Sequence, residues 1–84
     1  AAKWFTKAAM QGHPDAQFCL GMCYRDGEGV LQDYSEAAEW FSKAVNQGHS
    51  GAMINLGLMY LNGLGVPQNY PKAMELIAKG KTQN

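Results

Sequence analysis

Two pairs of residues in this 84-residue chain have side chains suited to ligation or catalysis. Cys19 and Cys23 stand four apart, the spacing that places two side chains on one helical face, where thiols can hold a soft metal or respond to oxidation. His13 and His49, the only histidines, carry the group whose charge changes near neutral pH. Each pair lacks what the chemistry would need next. A structural zinc site takes four ligands and the thiols supply two. Neither histidine belongs to a recognisable nucleophile pair, and no Ser-x-x-Lys, Gly-x-Ser-x-Gly, His-Glu-x-x-His or P-loop pattern occurs. The Gly-x-Gly turns at Gly27 and Gly63 lack the third glycine and preceding strand of a dinucleotide site. The residues therefore predict no catalytic group, no metal site and no cofactor.

Charge and composition remove other classes. Seven basic and seven acidic residues give zero formal charge, so the clustered cations that displace counterions from a nucleic acid are missing. Trp4, Phe5, Trp40 and Phe41 have no basic surroundings and read as core and inter-helix packing rather than as a base-stacking platform. The uncharged stretch from Ala44 to Pro71 is interrupted by Asn46, His49, Asn55, Asn62 and Pro67, which argues against membrane insertion. The apolar share of 46% is too high for a disordered chain, and two cysteines are too few for a disulfide framework.

The elements that must position these residues come from an internal repeat. Residues 1–36 laid over 37–72 without a gap give identical residues at 18 of 36 positions. Trp4/Trp40, Gln11/Gln47, His13/His49, Leu20/Leu56, Gly21/Gly57 and Tyr24/Tyr60 are among them, as are Gly27/Gly63, Gly29/Gly65, Val30/Val66 and Tyr34/Tyr70. Each copy holds two segments of helical length separated by turn residues. The spacing predicts A helices over 14–26 and 50–62, and B helices over 1–11, 34–47 and 70–79. Ala16, Leu20 and Tyr24, with Ala52, Leu56 and Tyr60, recur every four residues along one buried stripe. Gly21 and Gly57 lie inside the A helices, where glycine costs about 1 kcal/mol against alanine, so close approach of a partner helix is expected. Gly27 and Gly63 end the A helices in left-handed backbone, and Val30 and Val66 then return to the core. Asp33 followed by Glu36 resembles a capping box at the next helix start. Tyr34 and Tyr70 are expected to brace the starts of the B helices, and the two histidines to serve a backbone or capping role.

Leu-Gly-x-x-Tyr at Leu20 and Leu56, then Gly-x-Gly-Val, then Ala-x-x-x-Phe at Ala37 to Phe41 resembles the Sel-like repeat, a longer-looped relative of the tetratricopeptide repeat. The latter fits less well, because the period is 36 and Gln17 and Met53 stand where its tryptophan would be. The resemblance implies an all-α, right-handed α-solenoid of antiparallel helix pairs, with A helices lining a concave surface and protein–protein scaffolding as the usual role. One array over 1–84 is expected: a partial B helix at 1–12, a repeat at 13–48, and a repeat at 49–84 closed by a capping helix. The start inside a B helix reads as the cut edge of a longer protein. Cysteine-rich members of the broad family are linked to β-lactam binding, so a ligand-binding or weakly hydrolytic domain is the alternative, and a structural spacer the third reading. This chain lacks the recurring paired cysteines of those members.

The resemblance puts the partner-binding groove at Phe18, Cys19, Met22, Arg25 and Asp26 in the first copy and at Ile54, Asn55, Leu58, Leu61 and Asn62 in the second. Phe18/Ile54 and Met22/Leu58 are apolar in both copies, so packing between helices competes with ligand contact there. The expected partner is a protein or peptide, with self-association through exposed repeat ends as a further possibility.

Overall fold

The computed structural model describes residues 2–82, with side chains from Thr6 onward. Five helices follow one another: α1 (Ala2–Met10), α2 (Pro14–Asp26), α3 (Tyr34–Asn46), α4 (Ser50–Asn62) and α5 (Tyr70–Thr82). They form a slab of 34 × 26 × 14 Å in which α2 pairs with α3, α4 with α5, and α1 lies against α2. No strand occurs among the described residues. Ala1 and the side chains expected to pack at Trp4 and Phe5 lie outside the described set.

The boundaries follow from local chemistry. Asp33 Oδ1 accepts the Glu36 N–H at 3.2 Å, and Asn69 Oδ1 accepts the Lys72 N–H at 3.1 Å, so each satisfies a free donor where a B helix begins. Gly27 and Gly63 close α2 and α4 with φ of 72° and 67°, and their N–H groups donate to the Cys23 and Met59 carbonyls. Asp33 and Asn69 then donate their backbone N–H groups to Tyr24 and Tyr60 carbonyls, fixing both long turns in the same way.

The main core joins α3 to α5: Ala37, Phe41, Ala44, Ala52 and Ala73 are fully buried beside Met53, Leu56 and Met59. A second cluster of Ala9, Ala16 and Leu20 lies between α1 and α2, with the half-buried Trp40 ring packed on it and Lys43 Nζ 4.4 Å from that ring's centroid. Glycines set the helix spacing, as expected for close approach. A Cβ on Gly21 would stand 2.7 Å from the Phe41 ring, and one on Gly57 would stand 2.7 Å from Ile77 Cγ1 and 3.0 Å from the Ala73 carbonyl.

Three expectations need correction. The last helix runs to Thr82 rather than stopping at 79, because Gly80 is a contact residue: a Cβ there would meet the Ser50 carbonyl at 2.8 Å and Ile54 Cγ1 at 2.7 Å. Tyr34 packs against the core, but Tyr70 is 58% exposed and makes a hydrogen bond with Gln68 instead of bracing α5. Tyr24 and Tyr60 are half-buried at the end of their stripe, with their backbone carbonyls anchoring the turns.

Candidate functional site

Two corners of the molecule carry the same sequence position and different chemistry. His49 precedes α4 with φ −74° and ψ 112°, and its Nδ1 accepts the Ala52 N–H at 3.0 Å. Its Nε2 lies 3.0 Å from Asp15 Oδ1 on α2, and its ring stacks on Phe18 with centroids 4.6 Å apart. Both ring nitrogens are thus engaged, in a cap and in a bridge between repeats. His13 precedes α2 with nearly the same backbone, φ −77° and ψ 116°, yet its side chain makes no cap hydrogen bond and it is exposed. The expected backbone or capping role holds for both: His13 caps through its backbone carbonyl, which accepts the Gln17 N–H at 2.9 Å, and His49 adds a side-chain cap.

The residue two positions on explains the split. Gly51 follows His49, and a Cβ there would stand 3.0 Å from His49 Cε1 and 3.4 Å from Phe18 Cε1. Asp15 occupies the matching place after His13, so the imidazole has less room to turn back over the helix start.

A second polar link was not legible as such in the sequence. Gln17, at the apolar position where Met53 stands in the other copy, is 5% exposed. Its Nε2 donates to the Ala9 carbonyl at 3.2 Å and its Oε1 accepts from Gln47 Nε2 at 2.9 Å. One amide thereby ties α2 to the end of α1 and to the turn after α3, and the buried polar group is satisfied. The recurrence of Gln11 and Gln47 was the signal that could have found it.

The ten groove positions divide. Phe18 is half-buried, stacked on His49 and 5.8 Å from the Phe41 ring, and Ile54 lies against Gly80 of α5, so both contribute to packing between helices. Met22 packs on the main core. Arg25 and Asn55 come together: Arg25 Nη1 donates to Asn55 Oδ1, while Nε and Nη2 reach the two Asp26 oxygens at 3.0 and 3.1 Å. This guanidinium holds the Asp26 carboxyl below its ordinary value. Asn55 and Asn62 also donate to carbonyls one turn back, Gly51 and Leu58. Leu58 is 43% exposed and Leu61 half-buried, with no charged residue on α4.

Cys19 and Cys23 are free thiols and partly buried. Burial, and then the Glu28 carboxylate, push the Cys23 thiol up from its ordinary value, which disfavours the thiolate form. No group of three His, Cys, Asp or Glu side chains able to hold a metal occurs among the described residues, and no helix there is long and apolar enough to cross a membrane.

Comparison with known proteins gives one family. The model of the Sel1 repeat matches residues 1–13, 14–49 and 50–84. A Sel1 repeat protein from Oxalobacter formigenes is 44% identical with a TM-score of 0.92, over 95% of this chain and 23% of that one. The protective antigen c5321 of uropathogenic Escherichia coli, which has the same repeat fold, is 37% identical with a TM-score of 0.95, over 99% and 18%. Cysteine rich protein B of Helicobacter pylori is 26% identical with a TM-score of 0.89, over 95% and 60%. The chain thus spans less than a quarter of the first two. No curated protein sequence matches it.

Proposed function

The chain belongs to the Sel1 repeat family, and from that premise we propose that it works as a non-enzymatic interaction module whose A-helix face binds a partner peptide or protein. Sel1 repeats commonly serve as protein-interaction modules and are generally non-catalytic scaffolds. The observation that carries the finer reading is the Arg25–Asn55 hydrogen bond. It joins the α2 and α4 stripes into one surface, with Leu58, Leu61 and Met22 as its apolar part and Asp26 and Asn62 at its edge. Cys19, the other α2 position expected in the groove, borders the cavity beside α1 instead. Phe18 and Ile54 form its floor, where they also hold neighbouring helices.

The neutralised guanidinium matters to what such a surface would take. Arg25 is already matched by Asp26, so it does not call for an acidic ligand, and the uncharged α4 face favours apolar anchors over charge pairing. Both nitrogens of His49 are engaged, which leaves it no free base for acid–base chemistry.

A displayed random peptide library panned against the chain tests this. Enriched peptides should carry apolar anchors, and the double substitution Leu58→Asp, Leu61→Asp should weaken them tenfold or more while the far-ultraviolet circular dichroism stays unchanged. Enriched peptides indifferent to both substitutions would refute the site. Turnover of a chromogenic β-lactam, abolished by a single substitution, would refute the non-enzymatic reading.

A further inference from the structure

We propose that the corner His49 makes with α2 is an acid-released latch between the two repeats. The neutral imidazole clamps the start of α4 to α2, and a proton on it sets free both the first turn of α4 and the Phe18 ring. Between about pH 8 and pH 5 histidine is the side chain that gains a charge.

Hydrogen-bond direction fixes which ring nitrogen holds the hydrogen. His49 Nδ1 accepts the Ala52 N–H at 3.0 Å, so that atom offers a lone pair and carries no proton. Nε2 then carries the ring hydrogen and donates to Asp15 Oδ1 at 3.0 Å. One tautomer of the neutral ring satisfies both contacts, in the orientation that stacks on Phe18 with centroids 4.6 Å apart. A second proton has only Nδ1 to go to, where it sets one N–H against another and removes the cap.

Burial decides which contact yields. Ala52 is fully buried, so its N–H has no water to turn to in place of the imidazole. The Asp15 side chain is 95% exposed, so a charged pair with it is screened and does little to hold the ring in place. The start of α4 also carries the positive end of the helix dipole, which opposes an imidazolium. The protonated ring therefore leaves the helix start for solvent and gives up its stack on Phe18. The remaining charged groups around the corner do not offset this. On α2, Arg25 is paired with Asp26 and Asn55, and Cys19 borders the cavity beside α1. At the end of α3, Lys43 lies over the Trp40 ring, and Gln47 is neutral. No residue of α4 is charged, and α5 brings the exposed Lys79 and Lys81 on either side of Gly80, which packs on Ser50. Among the described residues Asp15 is the one carboxylate in contact with the ring. Phe18 lies 5.8 Å from the Phe41 ring, so acid loosens the seam between α2 and α4 there. The latch belongs to that seam and does not rest on what the A-helix face binds.

The test is NMR of the isotope-labelled chain at about pH 8 and about pH 5, beside two variants. His49→Asn keeps a good helix cap that does not titrate, and His13→Ala removes the other histidine. At the higher pH the His49 ring should be the Nε2–H tautomer with ring-to-ring NOEs to Phe18. At the lower pH those NOEs should be lost, and the protection factor of the Ala52 amide should fall at least tenfold while that of Phe41 stays within about twofold. His13→Ala should respond in the same way, and His49→Asn should keep Ala52 protected at both pH values. An Nδ1–H ring at the higher pH, unchanged NOEs and Ala52 protection at the lower one, an equal loss in His49→Asn, or a parallel loss at Phe41 would each overturn the proposal.

Discussion

His13 and His49 hold equivalent places in two copies of one repeat, with φ and ψ within a few degrees, and their side chains behave differently. At His49 a neighbouring helix covers the corner, a glycine two residues on leaves room, and the imidazole caps α4 while touching α2. At His13 the corner is open, Asp15 takes the glycine's place, and no side-chain cap forms. The contrast separates two levels of information in a repeat. Local sequence sets the backbone, while the packing partner and one small residue decide what the side chain does.

The largest effect available is in the core beneath the covered corner. Phe41→Ala removes a fully buried ring that faces Gly21 and lies 5.8 Å from Phe18, and should lower unfolding stability by about 3–5 kcal/mol in a urea titration. Smaller and more specific is the exchange of corner identities. Gly51→Asp makes the covered corner resemble the open one and should cost about 1–2 kcal/mol through loss of the cap and the stack. His49→Ala should cost a similar amount, whereas His13→Ala should stay within about 0.5 kcal/mol, and equal costs would erase the distinction.

Two gentler probes follow. Iodoacetamide near neutral pH should modify Cys19, which borders the open groove, several-fold faster than Cys23, as read by mass spectrometry of the tryptic peptides. The smallest effect belongs to Asp26, whose carboxyl is held low by the Arg25 hydrogen bonds. A depressed folded value means that its contribution is present above the unfolded carboxyl value and is lost as pH falls through the folded one. The stability gap between the chain and Asp26→Asn should therefore shrink on acidification, and both groups are exposed enough that it starts small.

Much of the fold was legible because the repeat states each element twice. Gly27 and Gly63 marked the same helix end, Asp33 marked a helix start, and Gly21 with Gly57 marked close approach, all as the structure has them. Gly80 was not legible, since a glycine near a helix end reads as a stop unless the helix pressing on it is known. Tyr70 was misread because its counterpart Tyr34 has a repeat beyond it to pack against. The Gln17 bridge hid at an apolar position, because the pattern alone does not reveal that a buried amide has two partners waiting in Ala9 and Gln47. The positions expected in the groove came from the family resemblance rather than from the pattern, which could not show that Arg25 and Asn55 meet or that Phe18 turns to the inter-repeat contact.

Amide hydrogen exchange at Ala16 and Ala52 tests the central contrast between the covered and open corners most directly. The two N–H groups sit at equivalent places in α2 and α4, and the Ala52 group donates to His49 Nδ1 beneath a stacked ring while His13 offers the Ala16 group no side-chain cap. Ala52 should exchange at least tenfold more slowly than Ala16, and the difference should vanish in Gly51→Asp. Equal exchange at the two sites in the unmodified chain would contradict the account.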